Sequence, residues 1–381
     1  MFGRSLEIFR VFGFPIRLHP SWVPVAALVT WSLASGVFPA LAPGLSSSMY
    51  WWMGGIAALG LFASVIVHEL AHSLVARRHG IPIRGITLFF FGGVAEMVGE
   101  PPSARSELLV AAAGPAVSLV VGAAGWGLVM AALAFGAPAP LSVVIGYLAL
   151  TNATLALFNL VPAFPLDGGR ILRSFLWSWK GDLLRATRIS SAIGSGFGVL
   201  LIGLGLLRAF WASDWMGGVW WVLLGLFVRG AASGSYQQLL LRQVLEGEPV
   251  GRLMSPHPVV VPRALSLADW VHDYVDRHPF EMFPVVEENT GRLLGCIRID
   301  QLRQIPRDEW ERQTVGAFVE RCSPETTVTA DADAHRALSL MNRSGASRLL
   351  VVEEDRLLGV LSLKDVLRFF TGRRETKAAS R

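Results

Sequence analysis

The chain has 381 residues, of which 52% are apolar and only 17% charged, and its mean hydropathy is +0.47. That balance lies outside the soluble globular range and excludes a single water-soluble core. Residues 1–245 hold 15 Lys/Arg and 8 Asp/Glu, a net of +7, whereas residues 246–381 hold 19 and 21, a net of −2. An apolar first part with sparse, mostly basic charge reads as membrane-embedded, and the charge-dense remainder reads as an ordinary soluble domain. The surplus Arg flanks apolar segments and forms no single run, so it serves membrane orientation and not nucleic acid. The two cysteines, Cys296 and Cys322, exclude a disulfide framework and a thiolate zinc finger. No cleavable signal is evident, because the first apolar stretch is too long for one.

Segments of about 20 apolar residues, enough to cross a bilayer, occur near 21–40, 52–76, 107–135, 141–161, 189–209 and 217–236. Arg4, Arg10 and Arg17 precede the first; Arg77, Arg78, Arg84 and Arg105 follow the second; Arg170, Arg173, Lys180, Arg185 and Arg188 follow the fourth. The other three connections hold no Lys or Arg. The positive-inside rule therefore predicts a cell-membrane protein with cytoplasmic N- and C-termini. Between the second and third crossings, the β-formers of 83–91, then Gly92-Gly93 and Val94–Met97, predict a hairpin at the membrane surface over 83–98. Gly114-Pro115 predicts a kink in the third crossing and no binding role. Pro162 and Pro165 must break the fourth helix near the bilayer boundary, where irregular backbone is tolerated only against protein or a watery cavity.

From Val250 the pattern repeats with a period of about 64 residues, Phe283-Pro-Val-Val answering Leu349-Leu-Val-Val and Leu293-Leu-Gly answering Leu357-Leu-Gly. Each unit resembles a CBS domain, one at about 250–306 and one at about 315–370. The basic, polar stretch 371–381 predicts a disordered tail.

The chemistry concentrates in the second crossing, which reads Val67-His68-Glu69-Leu70-Ala71-His72-Ser73. Residues four apart share a helix face, so His68 and His72 can offer two imidazoles to one metal ion, leaving Glu69 beside them as acid/base. Ionisable groups inside an apolar crossing are costly, about 2.5–3.5 kcal/mol for an acid at its centre, and face a polar interior or a metal by default. A third ligand is needed, and Asp167 is the candidate, set in the turn Pro162-Ala-Phe-Pro165-Leu-Asp167-Gly168-Gly169. The glycines would permit close approach of backbone to the metal; capping of the next helix is the competing role for this Asp. Two imidazoles and one carboxylate without sulfur suit Zn²⁺.

HELAH in one crossing, with Asn159-Leu-Val-Pro-Ala-Phe-Pro-Leu-Asp-Gly-Gly169 ending another, closely resembles the site-2 protease family of intramembrane zinc metalloproteases. The subgroup resembled carries C-terminal CBS domains, and the likeness extends to Leu18–Trp22, Phe91–Val94 and Ala113-Gly114-Pro115. The resemblance implies that His68, His72 and Asp167 bind one zinc ion, that Glu69 is catalytic, and that the substrate is a transmembrane protein. Asn159 would hydrogen-bond the substrate or a neighbouring helix. The hairpin would either hold an unwound substrate by strand addition or simply cover the site. Ser362 and Asp365 match the element that in CBS domains contacts ribose and phosphate of AMP or ATP; Arg298-Ile-Asp-Gln301 in the first repeat lacks both groups. The other reading of the pair is a module for homo-oligomer assembly.

The expected architecture is thus a polytopic α-helical membrane protein of about six transmembrane helices with a membrane-surface β-hairpin, residues 1–245. A cytoplasmic α/β tandem CBS module follows at 246–370. The competing functional class is a CBS-gated transporter or channel, which predicts ionisable groups along several crossings and repeated halves. Here they gather in two motifs instead.

Overall fold

The computed structural model describes residues 5–90, 92–97, 99–288 and 290–379. Contacts divide the chain into two compact units, 1–237 and 238–381. Among the described residues of the chain, six helical stretches are long and apolar enough to cross a membrane, as expected. The first is built from α1 (Trp22–Ser32), a π turn (Leu33–Val37) and α2 (Phe38–Leu41). The others are α3 (Ser47–Arg78), α4 (Ala104–Ala134), α5 (Ala139–Asn159), α7 (Leu183–Trp211) and α8 (Trp215–Leu245), with the amphipathic α6 (Asp167–Lys180) inserted after the fourth crossing.

Outward faces carry exposed Trp52, Leu59, Val120 and Leu133, the surface that lipid requires. Where helices meet, small residues bring backbones together: a Cβ on Gly122 would stand 3.1 Å from the Ala149 carbonyl on α5. Gly205 and Gly218 likewise pack against each other's carbonyls across α7 and α8. The division between units falls inside α8 and before residue 245, because Leu241 and Leu245 pack into the core of the second unit.

The surface hairpin is present but is half of a larger sheet. β3 (Ile83–Phe89) and β4 (Gly92–Met97) pair antiparallel. β3 also pairs in parallel with β2 (Phe14–Leu18), itself antiparallel to β1 (Leu6–Val11), giving the order β1-β2-β3-β4. Residues 6–17, which in the sequence stand out only for their arginines, thus form most of an N-terminal hairpin. Its turn, Phe12-Gly13, has φ of 50° and 86°, the left-handed pair that a two-residue hairpin loop needs. Phe14, Ile16 and Ile86 bury against Leu70 of α3, so the sheet lies on the helix that carries the site. Phe91 and Val98, included in the expected hairpin, lie outside the described residues.

In the second unit, β5 (Ser255–Pro256), β6 (Val261–Pro262), α9 (Leu267–Trp270), β7 (Met282–Val286) and β8 (Leu293–Arg298) come from the first repeat. β9 (Thr327–Val328), α10 (Ala334–Ser344), β10 (Arg348–Glu353), β11 (Arg356–Ser362) and α11 (Leu363–Ala379) come from the second. Both repeats place a short parallel strand beside an antiparallel pair, as a duplication demands. The cores exchange their ends, however. β5 pairs with β11, and Val250 and Leu253 bury with Leu349 and Leu361 of the second repeat. Val315, which opens the second repeat, buries with Trp270 and Phe283 of the first.

One further difference from the sequence reading concerns the C-terminal stretch. α11 continues to Ala379, so residues 371–379 are helical where composition predicted disorder; Arg, Glu, Lys and Ala there are good helix formers despite their polarity. Cys296 and Cys322, distant in sequence, are both free thiols with Sγ atoms 3.7 Å apart.

Candidate metal centre

Helix α3 is capped by Ser46, whose hydroxyl accepts the Met49 N–H at 3.3 Å, and carries His68 and His72 on one face. The two residues are 4% and 3% exposed. Asp167 opens α6 after the break at 160–166 and reaches the same point. Its Oδ2 lies 3.1 Å from His68 Nε2 and 3.2 Å from His72 Nε2, and the two Nε2 atoms are 3.2 Å apart.

The far side of each ring is already engaged. His72 Nδ1 meets the Val110 carbonyl of α4 at 2.6 Å. A carbonyl only accepts, so the proton of the neutral ring sits on Nδ1 and Nε2 is left as a bare lone pair. His68 Nδ1 lies 2.9 Å from Ser118 Oγ, also on α4. A hydroxyl can accept as well as donate, so His68 is free to take the same tautomer; three lone-pair donors then converge on one buried point, which a cation between them would stabilise. Among the described residues, His68, His72 and Asp167 form a group whose ligand atoms all lie within 4.8 Å of one another. This donor set fits zinc, with room left in a tetrahedral shell for one further ligand.

Glu69 points elsewhere. It is half-buried, and its Oε2 accepts the Ala95 N–H of β4 at 3.1 Å. A Cβ on Gly93 would come 2.8 Å from Glu69 Cγ, so only a glycine lets β4 lie so close over the acid. The predicted acid/base is therefore beside the metal ligands and outside their set.

Helix α4 supplies what the sequence reading missed. Ser103 and Ser106 close a capping box at its start, and Glu107, Val110, Gly114 and Ser118 are all buried at helical spacing. A Cβ on Gly114 would fall on the Nε2 atoms of both histidines. The expectation that Gly114-Pro115 only kinks the helix is thus corrected: Pro115 does lie inside α4, but Gly114 keeps open the space where the ligands converge. Gly168 and Gly169 have a packing role. Cβ atoms there would strike the backbone of Leu160, Val161, Ala163 and Phe164, so these glycines seat α6 on the preceding loop.

Asn159 is the last residue of α5 and half-buried, outside the ligand group. In the second unit, Ser362 lines a cleft of about 370 Å³ between the repeats, together with Arg298, Arg348 and Lys364. Asp365 is occupied otherwise. It accepts the Ser362 N–H at 3.0 Å and donates its own N–H to Ser362 Oγ at 3.2 Å, the capping box of α11.

Fold and site together define a multi-pass membrane protein with a buried three-ligand metal centre and an acid beside it. Comparison with known proteins agrees. The profile of "Peptidase family M50" matches residues 56–142 and 131–202, and that of "CBS domain" matches 250–307 and 319–372. The chain is 33% identical over 368 residues to the Synechocystis sp. protein sll0528, covering 96% of this chain and 95% of that one. It is 31% identical over 367 residues to "Zinc metalloprotease MJ0392" of Methanocaldococcus jannaschii, covering 96% and 95%. The solved structure "Site-2 Protease from Methanocaldococcus jannaschii" aligns at 30% identity and TM-score 0.42, covering 61% of this chain and 94% of that one. The chain belongs to peptidase family M50, the site-2 proteases, and is a zinc metalloprotease with a CBS pair.

Proposed function

We propose that this protease is an intramembrane endopeptidase that cuts transmembrane segments of membrane-tethered proteins near the cytoplasmic face, with both termini on that side. The observation that carries this reading is the ligand set His68, His72 and Asp167, buried among helices long enough to cross a membrane. Bound zinc supplies Lewis acidity and brings a water's pKa toward neutrality. The residues do the rest: Glu69 takes a proton from the attacking water and returns it to the leaving amine. Helical peptide carbonyls are shielded by their own hydrogen bonds, so the substrate must be unwound first. β4 is an edge of the sheet beside Glu69, which supports strand addition as the way an extended segment is held. Asn159, where α5 breaks, would bind substrate backbone.

For the second unit, we infer that the cleft lined by Arg298, Arg348, Lys364 and Ser362 takes an adenine nucleotide such as AMP or ATP. Its cations complement phosphate. The inter-repeat surface is also where homo-oligomers would form.

The deciding experiment compares the wild type with Glu69→Gln in detergent on a fluorogenic transmembrane peptide, with zinc measured in both. Zinc retained and cleavage lost is the expected outcome; equal cleavage would remove Glu69 from the mechanism. ATP or AMP should raise the melting temperature of the full chain, and no shift at millimolar nucleotide would leave the pair as an assembly module.

A further inference from the structure

The histidines come from α3 and the third ligand from α6, so the centre exists only while α6 keeps its register. A buried ion pair ties that helix to α4. Arg173 lies on α6 beyond Asp167 and is 4% exposed; Glu107, in the first turn of α4, is 0% exposed. Arg173 Nε donates to Glu107 Oε1 at 2.6 Å, a second guanidinium nitrogen also contacts Glu107, and that nitrogen reaches Glu100 Oε2 at 3.1 Å. The guanidinium stands 5.3 Å from the centre of the Phe164 ring, in the loop that delivers Asp167.

A buried ion pair is poor evidence of net stabilisation, since apolar residues of similar volume often serve as well. Its geometry is another matter: a planar guanidinium fork fixes direction and distance in a way that apolar contact does not. The face of α4 that carries Glu107 continues through Val110, Gly114 and Ser118. These residues engage His72 Nδ1, leave space for both Nε2 atoms, and engage His68 Nδ1. One stripe of one helix therefore gauges both histidines and, through Glu107, the helix that bears the aspartate.

We propose that the Arg173–Glu107 pair is a positioning device for the metal centre, holding Asp167 Oδ2 where the two imidazoles meet. Neither residue belongs to the ligand group His68, His72 and Asp167; both act through Asp167. This rests on the metal reading given above.

The test uses the full-length protein in detergent and measures zinc affinity by chelator competition, and the visible spectrum of the Co²⁺-loaded protein as a report on coordination geometry. Glu107→Gln and Arg173→Gln should weaken zinc binding about 10- to 100-fold, the usual effect of losing a ligand's support, and should alter the cobalt bands. Arg173→Lys, which keeps the charge and loses the fork, should fall between. Val144→Ala, in the separate cluster of Leu33, Phe38 and Met53, is the control for general loss of stability, and should lower the melting temperature with zinc affinity unchanged. His68→Ala marks the affinity of a site short of one ligand. Wild-type affinity and spectrum in both Gln variants would overturn the proposal, as would an equal loss of zinc in Val144→Ala at the same melting shift. A wild type that holds no more zinc than His68→Ala would instead remove the metal reading, and the proposal with it.

Discussion

The two units hide their working groups in opposite ways. In the membrane unit polar side chains are scarce, and most buried ones have a partner that explains them: His72 has Val110, His68 has Ser118, and Glu107 has Arg173. In the second unit charges are plentiful, and the same Ser-x-x-Asp pattern serves either a ligand or a helix cap. Against an apolar background one ionisable residue is a statement about function; against a charged one it needs geometry to speak.

That contrast is open to experiment. The largest expected effect is from Asp167→Ala, which removes one of three ligands and should bring zinc content and peptide cleavage to background, read by elemental analysis and a fluorogenic assay. Next comes Leu349→Ala in the second unit. Leu349 is fully buried beside Val250 and Leu361, and the cavity should cost that unit about 2–5 kcal/mol, measured by denaturant unfolding. Zinc content should not change, because the two units have separate cores; a coupled loss would break the comparison. Gly114→Ala should weaken zinc binding about 10- to 100-fold in chelator competition, with secondary structure by circular dichroism intact.

The smallest effect belongs to Asp333, which caps α10 and accepts the N–H groups of Gly247 at 2.6 Å and Arg336 at 3.1 Å. Asp333→Ala should cost about 1 kcal/mol. Partial burial raises the carboxyl's pKa, but the Gly247, Arg336 and His335 N–H groups lower it further, leaving it below its ordinary 3.8. A depressed folded pKa means stability that is present above 3.8 and lost as pH falls through the lowered value. Acid unfolding of wild type and variant should therefore converge below that range.

Much of the metal site was legible because its ligand motifs sit where ionisable groups are expensive. Helical spacing puts His68 and His72 on one face, and the proline break marks Asp167 as the candidate third ligand; the fold adds their convergence. What escaped notice depends on pairing between distant segments. Gly114 looks like a kink until the histidines of another helix are placed against it. Glu107 and Arg173 look like surface charges flanking crossings, and only the packing of α6 on α4 buries them. The N-terminal hairpin was concealed by its brevity and by Arg10 and Arg17, which read as orientation signals. In the second unit the repeat was visible but the exchange of its ends was not, since Ser255 and Val360 are matched only in the folded sheet. Asp365 was ambiguous in principle: a hydroxyl followed three residues later by an acid is also the signature of a capping box.

The bond between the Ala95 amide and the Glu69 carboxylate bears on timing. An amide has one hydrogen to give, and at this position on the outer strand it is already spent on Glu69, the proposed proton shuttle. A peptide laid along that strand across residue 95 has to claim the same hydrogen. Under the strand addition proposed above, docking and arming would be a single exchange: the arriving chain would take the Ala95 hydrogen and set the Glu69 carboxylate loose.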